Sequence, residues 1–254
     1  MAGSLEGSVA LVTGASSGIG EATARSLASE GAAVSLVARR RDRLEALSKE
    51  IEEAGGRALV VEADLVEQEQ ATGAVEQTVA EFDRLDIVVN NAGLMLLGPI
   101  ADAPTEEWDR MIDLNLKALL HVTHAAIPHL KAAAGDSPRG ASDLVNLSSV
   151  AGRKVRGGMG VYNLTKHGVG AVSEALRQEL TTEGVRTTII EPGIVATELT
   201  DHIRDELREG VKAAISQVEP LQSEDVADAI LWAVTRPGHV SVSEVRIQPT
   251  AQAW

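Results

Sequence analysis

The chain has 254 residues, with 23 Lys and Arg against 37 Asp and Glu for a formal charge of −14, and 44% of its residues are hydrophobic. That length suits one large α/β domain or two small ones, the composition excludes wholesale disorder, and the negative balance excludes a broad nucleic-acid surface, which needs a concentrated positive field. The absence of cysteine removes disulfides, thiolate nucleophiles and Cys-ligated metal centres together.

Short apolar strands alternate with longer helical stretches along the chain. Val9-Ala10-Leu11-Val12 reads as a strand, Ile19 to Glu30 as a helix, Ala33 to Val37 as a second strand and Asp42 to Ala54 as a charge-dense helix. A third strand at Ala58 to Val61, a helix at Glu67 to Phe82 and a fourth strand at Asp86 to Val89 follow. Two helical stretches are expected near Thr105 to Leu114 and Leu116 to Ala133. Strands are expected near Leu144 to Leu147, Thr187 to Ile190 and Val240 to Ile247, with helices near Val161 to Thr182 and Ser223 to Thr235 between them. Strands that are apolar throughout, rather than alternating, are buried on both faces. The repetition therefore predicts an α/β fold of Rossmann type, a doubly wound parallel sheet flanked by helices on both faces, in a single domain over residues 1–254.

Gly135 to Ser142 reads as a surface loop, and Ile194 to Glu219 is long for a connection, so it is expected to form a substrate lid. Met1 to Gly7 has neither the basic stretch nor the apolar run of a secretory leader, and no apolar run approaches the roughly 18 residues of a membrane span. A soluble cytoplasmic protein is expected.

Thr13-Gly14-Ala15-Ser16-Ser17-Gly18-Ile19-Gly20 joins the first strand to the first helix. Glycines at such a junction let the backbone approach a pyrophosphate at the positive helix N-terminus, although the same turn also serves purely structural needs. The spacing is G-x-x-x-G-x-G rather than the commonest dinucleotide fingerprint. At the end of the second strand an acidic residue would hydrogen-bond the ribose hydroxyls of NAD, whereas this chain has Ala38-Arg39-Arg40-Arg41. A guanidinium pairs instead with the 2′-phosphate of NADP, so NADP(H) is the expected cofactor, mainly through Arg39 with Arg40 as a second contact. The alternative is a solvated basic helix start ahead of Asp42.

Tyr162 and Lys166 stand four apart, on one face of a helix. A phenol is a poor acid–base group at neutral pH, and a lysine cation one turn away is expected to bring its pKa toward working range. Asn146-Leu147-Ser148-Ser149 closes a predicted strand, where open α/β sheets place their ligands and where a hydroxyl can polarise a carbonyl.

Taken together these motifs resemble the classical short-chain dehydrogenase/reductase family, over essentially the whole chain. The family's Thr-Gly-x-x-x-Gly-x-Gly turn is matched at Thr13 to Gly20, its Asn-Asn-Ala-Gly motif at Asn90 to Gly93, and its Tyr-x-x-x-Lys signature at Tyr162 and Lys166. The resemblance implies catalytic roles for Asn115, Ser149 (rather than Ser148), Tyr162 and Lys166. It implies cofactor contacts from Gly14, Ser16, Ser17, Gly18, Ile19 and Gly20 of the turn, from Arg39, Arg40, Asp64 and Leu65, and from Asn91, Ala92 and Gly93. Tyr162, Lys166, Pro192, Gly193 and Thr197 complete that set. By the same resemblance Tyr162 donates a proton to a carbonyl oxygen, Ser149 holds that oxygen, Lys166 lowers the tyrosine pKa and binds the nicotinamide ribose, and Asn115 holds a water leading to solvent. The family needs no metal, and His121 and His124, three apart on a helix, show no partner ligand.

Among subgroups, Met95 to Pro99, Trp108 to Asp113 and Glu244 to Thr250 are similar to NADP-dependent members that include 3-hydroxy acid dehydrogenases and clavulanate-9-aldehyde reductases. The expected activity is carbonyl reduction of a small polar metabolite; the alternatives are oxidation of a 3-hydroxy acid or secondary alcohol, and a non-catalytic NADP-binding sensor. Arg153-Lys154-Val155-Arg156, between Ser149 and Tyr162, is a cationic cluster in an anionic protein. It either steers an anionic substrate, serves a subunit contact or is an exposed loop. Leu94 to Leu97, Met159, Ile194, Val195 and Leu199 are candidate pocket walls. The resemblance also implies a homo-oligomer, tetramer or dimer, built through the helices carrying Asn115 and Tyr162.

Overall fold

Within each apolar strand, alternate residues enter opposite cores, which is why no polar face interrupts the run. In β1 (Val9–Thr13), Ala10 and Val12 join one core while Val9 and Leu11 join the other. In β2 (Ala33–Ala38), Val34 and Leu36 share the first core, and Ala33 and Val37 the second. The first core is closed by Leu27 of α1 (Gly18–Ser29), Leu44, Leu47 and Ile51 of α2 (Arg41–Glu53), and Val226, Ile230 and Val234 of α8 (Ser223–Val234). On the other face lie Ala71 and Val75 of α3 (Gln68–Phe82), Val122, Ala126 and Leu130 of α5 (Ala118–Asp136), and Leu176 and Leu180 of α6 (Gly160–Leu180).

The computed structural model describes residues 3–137, 139–216 and 218–253, so Pro138 of the expected loop and Gln217 of the expected lid lie outside the described residues. Completing the sheet are β3 (Arg57–Glu62), β4 (Ile87–Asn90), β5 (Ser142–Leu147), β6 (Val185–Pro192) and β7 (Glu244–Ile247). Among the described residues the seven strands run parallel in the order β3-β2-β1-β4-β5-β6-β7. The chain leaves β1 toward β3 and then crosses back to β4, so winding reverses between β1 and β4. A crevice at the carboxyl ends of those strands is where this class of sheet binds ligands.

The structure corrects the sequence reading in two places and adds to it in a third. The two helical stretches expected around Asn115 form one column, α4 (Thr105–Ile112), a π turn at Asp113–Lys117 and α5, with the Ala118 N–H donating to the Asp113 carbonyl. One extra residue in that turn shifts the apolar register, which mimics a break. β7 begins at Glu244 rather than Val240. The long connection after β6, to which the sequence reading gave no elements, holds a 3₁₀ turn at Glu198–His202 and a helix, α7 (Asp205–Ile215). No helix among the described residues is long and apolar enough to cross a membrane.

Candidate active site

The glycine turn rests on Asn91. Its Nδ2 donates to the Thr13 carbonyl at 2.9 Å, while the N–H groups of Asn91 and Ala92 both donate to Thr13 Oγ1, at 2.9 and 3.0 Å. This joins the ends of β1 and β4 and leaves no room between them. A Cβ on Gly20 would lie 2.4 Å from the Gly14 oxygen and 2.5 Å from Asn91 Nδ2. Gly20 thus packs beneath the turn instead of lining the cleft. Alanine ordinarily stabilises a helix by about 1 kcal/mol over glycine. Here the backbone clash reverses the sign: Gly20→Ala is expected to destabilise by about 2 kcal/mol, lowering the thermal midpoint by about 4–8 °C. Calorimetry showing a higher midpoint would mean that the turn relaxes freely.

At the other end of the cleft, Ser149 follows β5 and caps a 3₁₀ turn at Val150–Gly152, its Oγ accepting from the Ala151 N–H at 3.1 Å. The same hydroxyl donates to the Pro192 carbonyl at 3.3 Å and acts on the Tyr162 phenol, lowering its pKa. Ser148 is spent elsewhere, donating to the Lys166 carbonyl at 2.9 Å. Tyr162 and Lys166 are buried on one face of α6, with Nζ 5.9 Å from the ring centroid. Nζ donates to the Leu147 carbonyl at 2.9 Å.

Burial pushes the Tyr162 phenol up to about 12, a rise that the Ser149 hydrogen bond opposes, and pulls the Lys166 ammonium down to about 8. This corrects the expectation that Lys166 brings the phenol toward neutrality. Loss of water around two adjacent groups outweighs their mutual influence, and the ammonium is directed to a carbonyl. The Asn115 side chain is engaged within the protein. Its Oδ1 accepts from the Leu94 N–H at 2.8 Å, and its Nδ2 donates to the Leu94 carbonyl (2.9 Å) and Thr165 Oγ1 (3.1 Å). Its side chain therefore stands behind the cleft wall, tying the segment after β4 to α6.

At the adenosine end both expected arginines line the cleft, in different settings. Arg40, not Arg39, folds back on the turn, donating from Nη2 to Ser16 Oγ at 2.9 Å and Ser17 Oγ at 2.6 Å. Arg39 is 70% exposed and 3.9 Å from Asp64. Arg40 Nη1 also donates to Glu198 at 2.8 Å, and Arg43 to the other Glu198 oxygen at 2.7 Å. Glu198 was not expected from the sequence; only its position after Thr197 could have drawn notice. Gln252 was missed as well. Its Oε1 accepts from the Ile194 N–H at 2.9 Å, and a Cβ on Gly193 would lie 2.2 Å from it, so the chain's end seats the turn after β6.

Most of these groups line one cavity of about 750 Å³. It is lined by Gly14, Ser16, Ser17, Gly18, Ile19, Arg39, Arg40, Asp64, Leu65, Asn91, Ala92 and Gly93 at one end. Ser149, Tyr162, Lys166, Pro192, Gly193 and Thr197 line the other. Of the catalytic and cofactor candidates only Gly20 and Asn115 lie outside the lining. Leu94, Met95, Leu97, Met159, Ile194, Val195 and Leu199 form apolar walls as expected, while Leu96 lies outside the lining. The cationic cluster divides. Arg153 turns away to bond Glu191 at 2.6 Å and Glu244, whereas Arg156 faces the cavity, as does Arg110, which sequence reasoning did not single out. The glycine cradle, the hydroxyl-backed guanidinium and the volume of the cleft fit a phosphorylated dinucleotide.

Comparison with known proteins agrees with this geometry. The family profile described as short chain dehydrogenase matches residues 8–208. An uncharacterised oxidoreductase of Staphylococcus epidermidis is 38% identical over 241 residues, covering 95% of this chain and 96% of its own length. Glycine betaine reductase of Emericella nidulans is 39% identical over 97% of this chain, but the chain spans only 19% of that protein. Among solved structures, the closed form of serine dehydrogenase complexed with NADP+ superposes with a TM-score of 0.85 at 34% identity, covering 97% of this chain and 96% of that one.

Proposed function

The chain belongs to the short-chain dehydrogenase family, and we propose that it is an NADPH-dependent carbonyl reductase acting on an aldehyde or ketone of a small, polar, carboxylate-bearing metabolite. The observation that carries this reading is the placement of Ser149, Tyr162 and Lys166 in the same cavity as the glycine turn and Arg40. NADPH bound there supplies the hydride. Gly14, Ser16, Ser17, Gly18 and Ile19 would hold its pyrophosphate, Arg40 and Arg39 its 2′-phosphate, Asp64 and Leu65 its adenine, and Asn91, Ala92, Gly93, Pro192, Gly193 and Thr197 its nicotinamide half. Tyr162 gives its hydroxyl proton to the carbonyl oxygen, Ser149 holds that oxygen, and Lys166 engages ribose hydroxyls while replenishing charge near the phenol. Asn115 fixes Leu94 against α6 and holds the water that leads from Lys166 to solvent.

Arg110 and Arg156 on the cavity wall favour a carboxylate, and the segment from Ile194 through α7 acts as the lid that closes over it. An aldehyde of the clavulanate-9-aldehyde kind has these properties. The reverse reaction, oxidation of a 3-hydroxy acid, is the second reading, favoured by the likeness to serine dehydrogenase. Assembly as a tetramer or dimer through α5 and α6 is part of the proposal, because Leu120 and Leu164 stand exposed there.

The test is NADPH turnover with matched carboxylate-bearing and neutral aldehydes and ketones. Arg156→Ala is expected to raise KM for the carboxylates about fivefold, with little change for neutral compounds. Equal effects on both sets reject anion recognition, and no turnover on any carbonyl rejects the reductase.

A further inference from the structure

Glu198 uses the groups that a phosphate monoester would need. It rises from the 3₁₀ turn across the cleft, packed over the glycine turn where Thr197 faces Gly18, yet each of its oxygens takes one guanidinium from the start of α2. Arg40 holds the Ser16 and Ser17 hydroxyls at the same time. A carboxylate clamped between two arginines beside two hydroxyls presents the same donors and the same charge demand as a bound phosphate.

Resting on the NADP(H) reading above, we propose that Glu198 is a specificity-determining residue: an internal carboxylate that occupies the Arg40–Arg43 pair and that the 2′-phosphate of the dinucleotide must displace. The two cannot share the pair, since a phosphate brings nearly two negative charges against a carboxylate held by the same donors. Nor does protonation clear the way, because the arginines keep the Glu198 carboxyl down at about 2. Displacement is nevertheless feasible: all three side chains are about two-fifths exposed, and ion pairs of that kind are weak. Phosphate, with three oxygens and more charge, wins the arginines but loses part of its gain to the exchange. An unphosphorylated dinucleotide leaves the clamp alone. The effect of Glu198 is therefore to narrow the preference for NADP over NAD that the arginines create.

The experiment measures dissociation constants of NADP+ and NAD+ by calorimetry for the wild type, Glu198→Gln and Glu198→Ala, with thermal midpoints confirming folded variants. Adenosine 2′,5′-bisphosphate and ADP repeat the comparison without the nicotinamide half. Both variants are expected to bind NADP+ and the 2′,5′-bisphosphate about fivefold more tightly, with NAD+ and ADP within twofold of the wild type. An unchanged or weakened NADP+ affinity in folded variants overturns the role of Glu198 while leaving the reductase reading intact. A wild type that binds neither dinucleotide overturns both.

Discussion

Tyr162→Phe is expected to lower kcat for carbonyl reduction by about a thousandfold while the NADPH dissociation constant stays within about threefold. The substitution removes one oxygen and keeps the ring that packs among Leu94, Met95 and Ala151. Tyr162 is also the only tyrosine in the chain, so no other phenol can replace its proton. Rapid-mixing turnover with fluorescence titration of NADPH separates the two effects. Near-normal turnover removes Tyr162 from the chemistry, and loss of NADPH binding reassigns it to the cofactor site. The lone tyrosine also makes its ionisation directly visible by ultraviolet absorbance. A phenol held at about 12 shows no tyrosinate up to pH 10 in the folded protein. It is therefore in the proton-donating form throughout the neutral range, the form that the reductive step uses. The oxidative reaction needs the phenolate, and its rate is expected to climb with pH.

What could be read from the sequence divides along a physical line. Strand and helix positions agree with the structure to within a few residues wherever an apolar run is bounded by glycine or charge, because burial on both faces writes itself into consecutive residues such as Val9 to Val12. The site motifs were equally visible, since Gly14, Gly18, Ser149, Tyr162 and Lys166 are required by local turn geometry or by helical spacing. What the sequence did not show concerns partners distant in it. Glu198 meets Arg40 across 158 positions, and Gln252 meets Ile194 across 58. Nothing in either neighbourhood announces such a pair. The different settings of Arg39 and Arg40 follow from one backbone bend after Ala38, which leaves the first exposed and aims the second at the serines. Likewise the basic cluster of residues 153–156 looked uniform until Glu191, buried at the end of β6, claimed Arg153.

Lys166→Met is expected to reduce kcat by at least about a hundredfold and to change stability in a pH-dependent way that a surface lysine would not. In the wild type the ammonium is buried beside Tyr162 with its pKa drawn down to about 8 from an ordinary 10.5. Between those values the unfolded chain carries a proton that the folded chain has lost, so folding stability attributable to this group rises with pH across that window. At about 1.4 kcal/mol per pH unit, the span amounts to about 3 kcal/mol. Methionine, close in length and without charge, has no such slope. Measured against the variant, the wild type should therefore gain about 3 kcal/mol in relative stability between pH 7 and pH 11, read from urea unfolding at each pH. Parallel stability curves for the two proteins would mean that the ammonium is well solvated in the folded state. The buried cation costs stability at neutral pH, and the Leu147 carbonyl holds it beside the Tyr162 ring, in the lining of the cavity that Tyr162 and Ser149 share.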